Sequence, residues 1–302
     1  MRAIDIVELA LRKYDEPIYV RHEIVHNKRV VDDLREKGVI FVDELDEVPS
    51  NAVTIFSAHG VARSVIDNAG KRGLKTIDAT CPLVAKVHKE GQRYANQDYD
   101  VVLVGHLGHA EVEGTLGQID GHVHVIDKPE DVANLKVRDQ NRVSYITQTT
   151  LSVNDTRDVI DALKDRFPNI VGPDTRDICY ATQNRQVAVR ELAKETDAIL
   201  VVGANNSSNS NRLREIAEDS GVRSVLINNA CEIDKNWLMD VKSVGLTAGA
   251  SAPDILVQEV IDQLAQWFEI GIRELEGADE NIYFKLPPEL SEFQESIPNV
   301  AD

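Results

Sequence analysis

A chain of 302 residues with 33 Lys and Arg against 51 Asp and Glu carries a formal charge of −18 at pH 7. That acidity argues against nucleic acid as a partner, because such binding rests on basic side chains neutralising phosphates. Hydrophobic residues at 42% and charged residues at 28% are ordinary for a globular protein of about two domains. The longest apolar runs, 101–104 and 199–202, fall far short of the ~20 residues of a membrane helix. No secretory signal is recognisable at the N-terminus, so no membrane partner and a cytoplasmic location are expected.

Ile4, Val7 and Leu11 form a helical stripe that begins almost at Met1, with no strand before it. From there one unit recurs: a short β-branched run, a polar loop, then an amphipathic helix. The runs are 17–20, 52–56, 75–78, 100–104, 143–146, 198–202 and 241–246. Residues 282–286 read as a closing strand followed by a loose tail. Buried parallel strands alternating with helices predict an α/β fold. In such sheets ligands lie beyond the carboxyl ends of the strands, where helix N-termini present free N–H groups. The polar residues of this chain gather at that position.

Cys81 and Cys179 each stand just before a predicted helix, where the helix dipole favours a thiolate. No local Cys-x-x-Cys spacing joins them, and isolated cysteines are mostly small buried hydrophobes. Cys231 falls in a turn away from these loops and reads as structural. Five of the eight histidines, His22, His26, His59, His106 and His109, lie in strand-end loops. Neutral imidazoles there can donate to phosphate oxygens. Glu111 is the carboxylate of the loop containing His106 and His109. In a dry site its pKa would rise, making it a general acid; otherwise it is an exposed first-turn Glu favouring the helix dipole. Residues 205–211, rich in Asn and Ser, exceed what one helix cap needs, and 249–253 supplies small residues for close backbone approach. Neither a Gly-x-Gly-x-x-Gly fingerprint nor a P-loop occurs, which leaves NAD and ATP poorly supported.

Several longer segments carry a family resemblance: Val20-Arg21-His22-Glu23-Ile24-Val25-His26-Asn27, Ser57-Ala58-His59-Gly60, Ala79-Thr80-Cys81-Pro82, 105–113, Thr147-Gln148-Thr149-Thr150, Asp177-Ile178-Cys179-Tyr180, 203–212 and 247–257. In this order, from Met1 to about Pro288, they resemble 4-hydroxy-3-methylbut-2-enyl diphosphate reductase, an iron–sulfur enzyme of the non-mevalonate isoprenoid pathway. The resemblance implies three similar α/β domains in a trefoil around a central iron–sulfur cluster site: 1–81, 82–178 and 179–268, with a C-terminal tail, 269–302. It implies a [4Fe-4S] cluster with Cys81 and Cys179 as two ligands. It implies a substrate-binding set of His26, His59, His109, Thr149, Ser207, Ser208, Asn209 and Ser251. Glu111 corresponds to the proton donor and Thr149 to the group beside the substrate hydroxyl. The implied partners are an allylic diphosphate substrate and a ferredoxin or flavodoxin electron donor.

The family's N-terminal strand and Gly-Phe-Cys-Ala-Gly loop, with its third cysteine ligand, have no counterpart in this sequence. Incomplete cluster ligation and impaired reductase activity are therefore expected. Two readings from other classes stand beside this one: a non-redox diphosphate-binding protein without a cluster, and a metal-dependent phosphohydrolase built on His106, His109 and Glu111.

Overall fold

The β-branched runs form parallel strands in three sheets. The computed structural model describes residues 2–173, 177–278 and 282–296. After helix α1 (Arg2–Lys13), the first unit comprises β1 (Ile18–Arg21), α2 (Lys28–Glu36), β2 (Ile40–Val42), β3 (Val53–Phe56), α3 (Arg63–Lys71) and β4 (Lys75–Asp78). Helix α4 (Pro82–Asn96) leads to the second: β5 (Asp100–Val104), α5 (Ala110–Leu116), β6 (Val123–Ile126), α6 (Pro129–Val132), β7 (Val143–Thr147) and α7 (Val153–Arg166). Helix α8 (Tyr180–Glu195) opens the third: β8 (Ala198–Val202), α9 (Ser208–Asp219), β9 (Arg223–Ile227), β10 (Val244–Ala248) and α10 (Asp254–Trp267). Helix α11 (Pro288–Ser296) packs on α1.

Strand order is β2-β1-β3-β4, β6-β5-β7 and β9-β8-β10, with every pairing parallel. In each unit the first strand therefore takes an inner position, with the second and third on either side. The chain changes direction across the sheet at that strand, and the crevice at its carboxyl end is where open α/β sheets take ligands. β5 and β8 are buried at every residue, as strands covered by helices on both faces must be. The helices that follow are capped locally: Asn27, Ser152 and Ser207 accept from the N–H groups of Val30, Asp155 and Ser210.

Three strands were not apparent in the sequence. β2, β6 and β9 flank the inner strands and are only partly buried, so their apolar signal is diluted. β10 begins at Val244 rather than 241, because the N–H groups of Lys242 and Ser243 are turned onto the Asp197 carboxylate, both at 3.0 Å. The expected closing strand at 282–286 joins no sheet among the described residues. In place of the loose tail, α11 starts at Pro288 and buries Leu290 in the core around α1, while residues from 297 on lie outside the described ones. Among the described residues, no helix is long and apolar enough to cross a membrane.

The first and second units meet at Gly117, just past α5. A Cβ there would lie 2.1 Å from Ala62 Cβ and 2.8 Å from its Cα, and the Arg63 N–H donates to the Gly117 carbonyl at 2.9 Å. Gly117→Ala should push the two backbones apart and cost about 1–3 kcal/mol. This would be read as a lower urea-unfolding midpoint; an unchanged midpoint would mean the seam has slack.

Candidate active site

Loops at the carboxyl ends of strands from all three units bring their polar side chains together. His26 follows β1, His59 follows β3, and His109 caps α5. The His26 and His59 rings stack with centroids 4.2 Å apart, and His109 meets them edge-on at 5.7 and 5.9 Å. Burial holds His59 well below the usual imidazole pKa, with repulsion from His26, His109 and His22 adding to it. His109 is lowered to about 4, again mainly by burial and then by His26 and His106. Both are neutral at pH 7. His109 Nδ1 accepts the Glu111 N–H at 3.1 Å, which leaves the ring proton on Nε2, available to a ligand oxygen.

The third unit closes this group. Ser251 Oγ donates to the His26 carbonyl at 3.1 Å, and Asn206 Nδ2 donates to Glu23 Oε2 at 2.9 Å, the carboxylate that also meets His26 Nδ1 at 3.0 Å. Ser207 caps α9, and Ser208 shares a cleft of about 290 Å³ with His109. Asn209 is 5% exposed, yet neither its Oδ1 nor its Nδ2 has a hydrogen-bond partner among the described residues. Buried amides are normally paired, so this one is set for a ligand or water. Gly249 lets Ser210 pack close against the backbone beside it: a Cβ there would fall 2.2 Å from Ser210 Oγ and 3.7 Å from Asn209 Nδ2.

The proton-handling pair lies in the second unit. Glu111 Oε1 accepts the Thr149 N–H at 2.6 Å and its Oε2 accepts the Thr149 hydroxyl at 2.9 Å. Burial drives its pKa up to about 7, against those two hydrogen bonds, with the nearby Asp177 adding repulsion. The alternative of an exposed first-turn Glu is thereby ruled out, since Glu111 is 3% exposed.

Cys81 and Cys179 are the N-cap residues of α4 and α8, and they are close enough that Cys179 raises the pKa of Cys81. The expected thiolate-favouring effect at Cys81 is present, in hydrogen bonds from Leu83 and Val84, but burial outweighs it and the thiol pKa goes up. The Cys179 N–H donates to the Thr149 carbonyl at 2.8 Å, tying α8 to the Glu111 pair.

Other expectations do not survive the geometry. His106 turns outward, half exposed, with Nδ1 2.9 Å from Asp127 Oδ1, while His109 Nδ1 is occupied by the Glu111 N–H. The His106, His109 and Glu111 side chains therefore do not converge on a metal as the phosphohydrolase reading needs. Cys231 does lie in a turn, the 3₁₀ segment Ala230–Glu232, where it is exposed rather than packed into a core. The sequence reading also missed Asp177, whose side chain is fully buried beside Lys86 at 3.0 Å. Its place two residues before Cys179 was the available signal.

The LytB protein family model matches residues 1–265. The chain belongs to the LytB protein family. This LytB chain is 58% identical to 4-hydroxy-3-methylbut-2-enyl diphosphate reductase 1 of Rhodopseudomonas palustris, over 96% of the chain and 95% of the relative. It is 55% identical to the reductase of that name from Acinetobacter baumannii, over 96% and 93%. Among solved structures it resembles the E-1-hydroxy-2-methyl-but-2-enyl-4-diphosphate reductase of Plasmodium falciparum, with a TM-score of 0.93 and 37% identity over 97% of this chain and 93% of the other. The three similar α/β units are thus those of the LytB fold.

The buried carboxyl of this LytB chain should leave a mark on stability. Its ordinary value is 4.5 and its folded value about 7, so between them unfolding releases a proton. The contribution is fully present below the lower value and is lost as pH rises through the upper one. Glu111→Gln, neutral at every pH, should gain stability relative to the parent between about pH 5 and about pH 8. Urea denaturation across that range checks this; a constant difference would show that Glu111 ionises normally.

Proposed function

We propose that this chain is a reductase that removes the hydroxyl of (E)-4-hydroxy-3-methylbut-2-enyl diphosphate, giving isopentenyl and dimethylallyl diphosphate. The observation that carries the reading is Glu111: a buried carboxyl, hydrogen-bonded to Thr149, that adjoins both His109 and Cys81. The names of the relatives agree with it. The reaction takes in two electrons and two protons, breaks one C–O bond, makes one C–H bond and releases water.

The diphosphate is assigned to the wall of His26, His59, His109, Ser207, Ser208, Asn209 and Ser251. The neutral rings of His59 and His109, the hydroxyls and an unpaired amide donate hydrogen bonds without adding fixed charge, and the N-terminus of the 12-residue α9 adds free N–H groups. A bound anion would favour protonation of His59 and His109, opposing the effect of burial. The substrate hydroxyl is assigned to the Thr149 side. There, with Glu111 protonated near neutral pH, the Glu111–Thr149 hydrogen bond runs in reverse: Oε2 donates to the Thr149 hydroxyl, which passes its own proton to the departing oxygen.

Thiolates are the donors that iron–sulfur clusters take, and Cys81 and Cys179 fit as two of them: both stand at helix N-termini, facing the same interior. When bound there, the cluster supplies single electrons and a Lewis-acidic iron for the substrate hydroxyl. The buried thiol of Cys81 would have to surrender its proton on binding metal, which makes uptake pH-dependent.

Anaerobic purification with iron and acid-labile sulfide analysis, followed by turnover with a chemical reductant, tests the reading. Whatever iron and sulfide the protein binds through these two cysteines should fall in Cys81→Ser and in Cys179→Ser. Glu111→Gln should keep its iron and lose roughly 10²–10⁴-fold in kcat with little change in KM. A chain that binds diphosphate tightly while holding neither iron nor sulfide would overturn the assignment.

A further inference from the structure

An overall charge of −18 repels acidic proteins, but one face of the molecule has the opposite sign. Beyond Thr80 and Pro82, the neighbours of Cys81, lies an open hollow of about 580 Å³ that also takes in Arg2, Lys86, Lys89 and Arg93. Lys86, Lys89 and Arg93 recur along the exposed side of α4. Lys86 pairs with the buried Asp177, whereas Lys89 has no ion-pair partner among the described residues and Arg93 only stacks over the Tyr94 ring at 4.8 Å. Arg2 donates to the carbonyls of Ala79 and Thr80 at 3.3 and 2.9 Å, which fixes its guanidinium beside the Cys81 turn. The carboxylates of the lining are Asp78 and Glu90; Asp78 accepts the Thr80 N–H, and Glu90 Oε2 is buried.

We propose that this hollow is the docking surface for a small acidic protein that carries single electrons. The proposal rests on the reductase reading, which requires such a carrier. Two observations join here. Cationic side chains of the hollow lie on the exposed side of the helix whose N-cap is Cys81, and the hollow's lining includes Thr80 and Pro82, the residues on either side of that cysteine. The rest of this acidic chain would turn such a partner away, so the local reversal of sign orients the encounter as well as strengthening it.

The test measures binding of an acidic [2Fe–2S] ferredoxin to the anaerobically isolated protein, with turnover by ferredoxin and by dithionite measured in parallel. Lys89→Glu with Arg93→Glu should weaken ferredoxin binding about tenfold or more at low salt, mainly through the association rate. The difference should vanish near 0.5 M salt, where charges are screened beyond about 4 Å. The milder pair Lys89→Gln with Arg93→Gln should lose less, and Lys136→Glu, exposed after α6, should bind like the parent. Dithionite-driven turnover should be unchanged in all of them. Equal binding by parent and double-Glu protein, or an equal loss in Lys136→Glu, would overturn the docking surface. Normal ferredoxin binding without any turnover by dithionite would overturn the reductase reading instead.

Discussion

Three parallel sheets direct their helix N-termini toward one interior, and this convergence governs the rest of the molecule. Asn27, Cys81, His109, Ser152, Cys179 and Ser207 are all N-cap residues. Each helix start leaves backbone N–H groups unsatisfied and carries partial positive charge. Such an interior favours groups that accept hydrogen bonds and carry negative charge. Thiolate sulfur and diphosphate oxygen are both of that kind, which is why a site for them can be built without a buried arginine or lysine among its proposed donors.

The same convergence explains the protonation pattern. Imidazoles crowded together and removed from water stay neutral, and a carboxyl deprived of water keeps its proton up to about 7. Burial is the leading cause in each case. A site of neutral donors and one retained proton suits a ligand that brings its own charge.

What the sequence made legible follows from locality. His26, His59 and His109 sit in contiguous loops with distinctive neighbours, so their shared placement in loops at strand ends could be read directly, whereas the strand order could not. β2, β6 and β9 could not, because half-exposed flanking strands lack the continuous apolar run that marks a strand buried on both faces. The hydrogen-bond partner of Glu111, Thr149, lies 38 positions away, and the Lys86–Asp177 pair spans 91 positions. Neither distance leaves a trace in local pattern. The basic side of α4 had the opposite difficulty: its i, i+3, i+7 spacing was present, but the acidic total concealed it.

Thr149 is gripped from both sides. Its amide and hydroxyl hold the Glu111 carboxylate, and its carbonyl holds the amide of Cys179. Three stretches of chain are thereby welded through one residue, so they form a single heritable block. Exchanging any one of these loops for that of a distant relative would bring a foreign backbone path to a joint with no slack; recombination that respects the molecule has to carry all three together.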